Sequence, residues 1–274
     1  MKTTKTQLIV LFAIAALTVG IYTLPISKSK PEEFAKATNQ ETGKSFKEME
    51  KNVKSSFRPA QLLDINRLEE RIKLDSNNLD LYDSVGISWD GLNQPGMSAN
   101  YFELKAINDN KERSYIDAAY RYFDAFKMAQ DSVIRGQMVE KAIACYEKVL
   151  LINPANLNAK TDLGVCFAEG TGMPMKGITL LREVIKEDPN HENAQLNLGF
   201  LSLKSTQYDK AIDRFNIVLK INPSRTETYI YLSQTYLQMG DSANARVNLK
   251  TFITKTKDEV AKKEAINYLQ ELGG

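Results

Sequence analysis

Very few residues of this 274-residue chain have the type and spacing that catalysis or metal binding requires. The single histidine, His191, lies in the turn Pro189–Glu192, without a cluster of cysteine, histidine or aspartate around it in sequence. Metal sites and catalytic sites need such clusters, so we interpret His191 as a solvent-facing residue at a helix start. Gly170, Thr171 and Gly172 are not followed by Gly-Lys-Ser/Thr and are better explained as a turn. We therefore predict no enzymatic activity, no catalytic residue, no cofactor and no metal ligand.

The two cysteines and the charge balance limit the possible functions further. Cys145 and Cys166 fall on neighbouring helices of the arrangement inferred below. Buried free thiols are favoured there, and a disulfide in an oxidising compartment is the alternative. The chain carries 36 Lys and Arg against 34 Asp and Glu, and Lys2 and Lys5 at the N-terminal tip account for the excess. A nucleic-acid-binding protein needs a basic stripe, so we predict no nucleic-acid partner.

The elements that must position a functional surface are indicated by a repeating pattern in the second half of the chain. A Leu-Gly pair or its equivalent is followed by a small residue and then a proline, with a period of about 34 residues. The positions are Leu163, Gly164, Gly177 and Pro189; Leu198, Gly199, Ala211 and Pro223; Leu232, Ser233 and Ala245; an earlier unit has Ala142 and Pro154. Small residues let two helices cross closely, and proline stops the second helix. The expected facing pairs are Gly164 with Gly177, Gly199 with Ala211, and Ser233 with Ala245.

This pattern resembles the tetratricopeptide repeat family over roughly residues 75–256. Large apolar residues recur on the second helix of each unit at i, i+3 and i+4, which is one helix face: Tyr146, Val149 and Leu150; Leu181, Val184 and Ile185; Phe215, Val218 and Leu219; Leu249, Phe252 and Ile253. The resemblance implies an all-α fold, a solenoid of helix–turn–helix units over residues 59–274. We expect about five repeats and a C-terminal capping helix: residues 75–111, 112–154, 155–189, 190–223 and 224–256, with the cap at 257–272.

Two parts of the array are less regular. The first repeat has Gly86 in phase, and Trp89 three residues later is expected to be a core residue. In the second repeat we expect a long aromatic first helix over about Ser114–Val133, without an in-phase glycine, and a second helix over Val139–Ile152. An amphipathic helix is expected to pack on the first repeat, with Leu62, Leu63, Ile65, Leu68 and Ile72 on its apolar face.

The N-terminal region predicts a membrane anchor. Residues 1–6 form a basic tip, and the segment at 7–24 includes an uncharged run, Leu8–Leu24, which is at the short limit for spanning a bilayer. Residues 25–58 form a polar spacer. Short basic N-termini usually remain in the cytoplasm, so we expect a single-pass protein with extracytoplasmic repeats, in a bacterium at the inner membrane and periplasm. The alternative is a cleaved signal peptide and secretion.

Function must then come from the surface, and the resemblance places it on the first helices, which line a concave groove in the family. The residues expected to line the partner-binding groove are Val165, Asn193, Leu196, Asn197, Phe200, Leu203, Ile230, Gln234 and Leu237. Contiguous exposed apolar surface usually marks an interaction site. The groove could instead be filled by the terminal helix or the spacer of the chain itself. The family's clamp for a terminal carboxylate is disfavoured, because Asn158, Asp162, Asn193, Glu227 and Tyr231 stand where its basic residues would be.

Two functions remain from the sequence. The first is a membrane-anchored, non-catalytic scaffold that binds a protein or peptide segment in the groove. The second is an accessory or sensor subunit of a membrane-associated enzyme or assembly complex whose catalysis resides in another chain.

Overall fold

The computed structural model describes residues 48–273. The chain divides into two compact units, with the boundary in sequence between Gln61 and Leu62. In the first unit, residues 48–55 are helical. A 3-10 turn, Pro59–Leu62, then leads into the second unit, which is entirely helical, and no strand occurs anywhere in residues 48–273. The all-α, repeat-type solenoid predicted from the sequence is therefore confirmed for this second unit.

Twelve α-helices follow the 3-10 turn. They are α1 Leu63–Leu74, α2 Leu79–Gly91, α3 Pro95–Asp109, α4 Glu112–Met128, α5 Ser132–Ile152, α6 Leu157–Gly170, α7 Pro174–Glu187, α8 Glu192–Lys204, α9 Tyr208–Ile221, α10 Thr228–Gln238, α11 Ser242–Lys255 and α12 Glu259–Glu271. The helices pack in order along the chain, with extensive contacts between α2 and α3, α4 and α5, α6 and α7, α8 and α9, and α10 and α11, and also between α3 and α4. Each such pair also contacts the next pair along the chain, so that the core continues from one pair to the next.

Close packing between the helices of a pair explains the glycines. A Cβ atom at Gly177 would overlap the carbonyl oxygen of Gly164, so α6 and α7 cross backbone to backbone as predicted. At Gly199 the nearest atoms to a Cβ would be those of the Phe215 ring, at 2.6 Å. The glycine of α8 thus makes room for an aromatic ring of α9, which the sequence did not predict.

The apolar face of the second helices forms the core, as the i, i+3, i+4 spacing predicts. The buried residues at these positions are Tyr146 and Val149 on α5, Leu181 and Val184 on α7, Phe215 and Val218 on α9, and Leu249 and Phe252 on α11. Burying a side chain of this size stabilises the fold by about 1.5–3 kcal/mol. Trp89 of α2 is fully buried, as expected for a core residue.

The helix boundary in the second repeat differs from the prediction. The structure ends α4 at Met128 and begins α5 at Ser132, so the helix expected over Ser114–Val133 is interrupted. Asp131 causes the new start, because its carboxylate accepts hydrogen bonds from the backbone N–H groups of Val133 and Ile134, at 2.9 Å each. An aspartate at this position satisfies donors that the first turn leaves unpaired. The second helix is therefore seven residues longer at its N-terminal end than the expected Val139–Ile152.

The first and last helices cover the ends of the array. In α1, Ile65 is buried and the hydroxyl of Tyr101 on α3 donates a hydrogen bond to Glu69 at 2.7 Å. Leu63 is 70% exposed, which corrects its place on the apolar face. The buried positions Leu62 and Ile65 are three residues apart, and Leu63 therefore lies on another side of the helix. At the other end, Ala265 of α12 is buried in a cluster with α11.

The predicted localisation is corrected. Within residues 48–273 no helix has both the length and the apolar character needed to cross a membrane. The predicted tip at residues 1–6 and anchor at residues 7–24, and the spacer up to residue 47, lie outside the described residues.

Candidate functional site

The predicted groove residues lie on α6, α8 and α10, the first helices of three successive pairs. We call the outer surface of these helices the A-helix face. Asn193 and Gln234 are exposed there, and Asn197 and Leu237 are half-buried. The spacing of four residues between Asn193 and Asn197 places both on one side of α8. The polar part of the predicted site is therefore available at the surface.

An aromatic cluster lies beside these amides. The ring of Phe200 meets the ring of Tyr231 edge to face, with 4.7 Å between centroids, and that of Phe215 at 5.5 Å. Such edge-to-face pairs contribute about 0.5–1.5 kcal/mol beyond the area that they bury. Phe200 is half-buried, while Phe215 is fully buried beneath it. Phe200 therefore supports the packing of α8 on α9 and α10 and still offers part of its ring to the surface.

The apolar groove positions are more deeply packed than expected. Leu196 is only 6% exposed and belongs to a core cluster with Phe215, Val218 and Leu232. Its expected role as exposed groove lining is corrected, because the next helix pair covers it. Three other predicted positions also pack against core clusters and are half-buried: Val165, Leu203 and Ile230. The accessible part of the site is consequently more polar than the sequence indicates.

The amide side chains are held in place by the helices that carry them. Asn197 donates from Nδ2 to the backbone carbonyl of Asn193 at 2.8 Å. This bond fixes its rotamer and leaves the side-chain carbonyl oxygen available to accept a hydrogen bond. Nη1 of Arg225 lies 3.4 Å from Oδ1 of Asn193, which leaves the Asn193 amide NH2 to donate. The two residues thus present an acceptor and a donor on successive turns of one helix.

A hollow of about 330 Å³ lies next to Asn193 and the aromatic cluster, because Arg225 and Tyr231 both line it. Its lining residues are Glu192, Asn222, Ser224, Arg225, Glu227 and Tyr231. Nη1 of Arg225 contacts Oε1 of Glu192 at 2.6 Å, and Asn222 donates to the same carboxylate at 3.1 Å. Glu227 is exposed and makes no ion pair in the part of the chain that the structure describes. The positive charge of the hollow is thus neutralised, and one carboxylate remains free.

His191 has a structural role at the start of α8. Its Nδ1 accepts a hydrogen bond from the backbone N–H of Ala194 at 3.2 Å, and this requires the tautomer with the proton on Nε2. Nε2 then donates to Oδ1 of Asn158 at 3.1 Å. The histidine caps α8 and ties it to α6, the first helix of the preceding pair. Residues 48–273 contain no group of three His, Cys, Asp or Glu side chains that could hold a metal ion.

Several other buried polar groups act in packing. Both cysteines are free and buried, and burial raises the pKa of each thiol, so thiolate chemistry is suppressed. Burial also raises the pKa of Asp162 to about 6, although the hydrogen bond from Tyr146 lowers it. On α3 the Glu103 carboxylate accepts hydrogen bonds from Tyr122 and Lys141 at 2.5 and 2.7 Å.

Four residues that line the hollow, Glu192, Asn222, Ser224 and Arg225, were not identified as site residues from the sequence. The signal that could have found the ion pair is its spacing, since Glu192 and Arg225 are 33 residues apart, close to one repeat period. Residues one period apart take equivalent places in adjacent units and therefore lie near each other. His191 and Asn158, also 33 residues apart, follow the same rule.

Comparison with known proteins gives the class of this fold. The family model described as "Tetratricopeptide repeat" matches residues 137–156, which include most of α5. The chain is also 38% identical over 80 residues to RNA polymerase-associated protein CTR9 of Saccharomyces cerevisiae. That match covers 29% of this chain but spans only 7% of the length of the yeast protein.

Solved structures share the same architecture. A thermophilic tetratricopeptide repeat protein of Thermus thermophilus aligns with a TM-score of 0.53 and 14% identity, covering 71% of this chain and 98% of that one. MamA of Desulfovibrio magneticus aligns with a TM-score of 0.50 and 14% identity, covering 66% and 96%. These likenesses concern the fold. Together with the family model, they support the tetratricopeptide repeat family, whose members are generally non-catalytic interaction scaffolds, and nothing in the described residues indicates an enzymatic activity.

Proposed function

We propose that this protein is an interaction scaffold that binds an extended peptide segment of a protein partner on the A-helix face, around α8 and α10. One observation carries the proposal. Two amides, Asn193 and Asn197, share α8 with Phe200 of a half-buried aromatic pair, and Asn193 contacts Arg225, which lines a hollow of about 330 Å³. Polar groups that fix orientation next to apolar surface are what recognition sites combine.

An extended peptide offers what this surface can satisfy. Its backbone presents an N–H donor and a C=O acceptor on nearly every residue. The Asn197 side-chain carbonyl can accept from one peptide N–H, and the Asn193 NH2 can donate to one peptide C=O. The exposed edge of Phe200 and the ring of Tyr231 supply apolar area for a side chain of the peptide. Aromatic residues carry a large share of the energy of such interfaces.

The charges of the hollow restrict the partner segment. Arg225 is already paired with Glu192, so the hollow has no unpaired cation to bind a terminal carboxylate. Glu227 leaves one negative charge there. We therefore propose a segment that is neutral, or that carries a lysine or arginine at the hollow, because a like charge would be repelled.

The alternative is an accessory subunit of an enzyme whose catalysis resides in another chain. The 80-residue similarity to a yeast protein named for its association with RNA polymerase favours it. Both proposals use the A-helix face for binding. They differ in whether the partner that is captured is itself an enzyme.

The test is the affinity of the full chain for peptides selected from a random library, measured by fluorescence anisotropy. Asn197→Ala removes the proposed acceptor, and we expect the affinity to fall about tenfold, which corresponds to about 1.4 kcal/mol. Asn248→Ala is the matched control, since Asn248 on α11 makes the same bond to the carbonyl four residues earlier, at 2.9 Å. An equal loss for both variants, or none for Asn197→Ala, would contradict the proposal.

A further inference from the structure

A second concave site lies on the other side of α8, between α7 and α9. It is a cavity of about 300 Å³, at the lower limit of the volume that small-molecule sites occupy. Its apolar walls include Ile178, Leu198 and Ile217. None of the residues of the A-helix face lines it, so the site is separate from the one proposed above.

Three cations converge on this cavity. Arg182 comes from α7, and Lys210 and Arg214 come from α9, while Asp213 is the one acidic residue among the lining side chains. None of the three cations forms an ion pair within residues 48–273. Nζ of Lys210 donates to the neutral amide of Gln207 at 2.6 Å. The lining therefore carries two more positive than negative charges.

The guanidinium group of Arg214 is held in position by a buried side chain. Nη1 of Arg214 donates to Oε1 of Gln195 at 2.6 Å, and Gln195 is only 3% exposed. Nε2 of Gln195 in turn donates to the backbone carbonyl of Pro189 at 2.7 Å. The guanidinium is thus fixed by a neutral, buried partner that leaves its charge uncompensated. A group held this way loses little freedom when it binds a ligand.

The two guanidinium groups repel each other. Burial and then the nearby Arg182 lower the pKa of Arg214, and Asp213 offsets only part of this. Bringing like charges together costs free energy, and an anion placed between them would remove that cost. Arg is the side chain that binds planar and tetrahedral oxyanions best, through several N–H donors.

We propose that the cavity between α7 and α9 binds a phosphate monoester carried on an apolar stem, with Arg182, Lys210 and Arg214 around the phosphate. The apolar walls then contact the stem. The source of the phosphate is either a free metabolite-sized molecule or a phosphorylated side chain of a protein partner. The two sources share the same chemistry at the cavity.

The experiment is calorimetric titration of the full chain with phenyl phosphate, with phenol as the uncharged control. We expect saturable binding of phenyl phosphate that weakens as salt is raised, and none of phenol at the same concentrations. Arg182→Gln should weaken binding at least tenfold. Lys186→Gln, an exposed lysine on the same helix outside the cavity, should leave it unchanged.

A peptide that contains phosphotyrosine distinguishes the two sources. Tighter binding of the peptide than of phenyl phosphate favours a phosphorylated partner, and equal or weaker binding favours a free phosphate monoester. Absence of saturable phenyl phosphate binding, or an equal loss with Lys186→Gln, would overturn the site. Because Arg182 is exposed, its substitution is not expected to unfold the chain. A normal melting curve for the variant verifies this.

Discussion

The crossing of α6 and α7 allows the sharpest test of the packing, through Gly177→Ala. A methyl group at Gly177 would overlap the carbonyl oxygen of Gly164 and lie 2.6 Å from the backbone nitrogen of Ala168, well inside the 3.4 Å at which ordinary contact begins. Both neighbours are backbone atoms and cannot rotate away. The two helices must therefore move apart.

The magnitude follows from two opposing terms. Alanine favours a helix interior over glycine by about 0.5–1 kcal/mol. Overpacking in a well-packed contact costs about 1–3 kcal/mol, and a backbone contact lies at the upper end. We expect a net loss of about 2 kcal/mol in the free energy of unfolding. For a unit of this size that loss lowers the melting temperature by about 4–8 °C.

The matched control is Gly136→Ala in α5. Nothing lies within 4 Å of a Cβ atom at Gly136, so only the gain in helix propensity remains. This variant should be more stable by about 0.5–1 kcal/mol, which is the opposite sign. Thermal and urea unfolding of the full chain, followed by circular dichroism, measure both. If Gly177→Ala proves as stable as Gly136→Ala, the close crossing is refuted.

Two further predictions concern ionised groups in the repeats. Burial raises the pKa of Asp162 to about 6, so the folded state favours the protonated carboxyl. The free energy of unfolding should therefore fall as pH rises from about 4 to 6 and Asp162 ionises. Asp162→Asn should abolish this part of the pH dependence and be more stable at pH 7 by about 1–2 kcal/mol, and urea unfolding across this pH range measures it. Glu192→Ala leaves Asn222 and Arg225 without their acceptor and should cost about 1–2 kcal/mol. Glu187→Ala removes an exposed carboxylate that lies 3.9 Å from Lys160, and it should change the melting temperature little. Equal losses of stability for Glu192→Ala and Glu187→Ala would contradict the reasoning.

The periodic part of the fold could be predicted from the sequence. Apolar residues such as Leu181, Val184, Phe215 and Val218 recur in phase, and each is fully buried because one helix face must be covered. The break at Asp131 could not be found this way. A helix start depends on a single capping side chain, and apolar residues continue on both sides of it without a change of period.

The candidate site was predicted only in part, because burial there depends on the neighbouring repeat. The spacing places Leu196 and Phe200 on the same side of α8, yet Leu196 is covered while Phe200 keeps part of its ring at the surface. Phe200→Ala would therefore remove packing against Phe215 and Tyr231 as well as any partner contact. Asn197 separates the two effects better, because its side chain bonds only to its own helix.

The central proposal, peptide binding on the A-helix face, is tested most directly by photo-crosslinking. A photoreactive residue replaces Asn197 on α8 in one variant and Asn248 on α11 in another, and each full chain is irradiated with the same selected peptide, at a concentration above the roughly tenfold weaker Kd expected once the Asn197 carbonyl is lost. We predict a covalent adduct from position 197 that excess unlabelled peptide suppresses, and none from position 248. An adduct from position 248 alone, or from neither position while the peptide still binds, would contradict the proposed site.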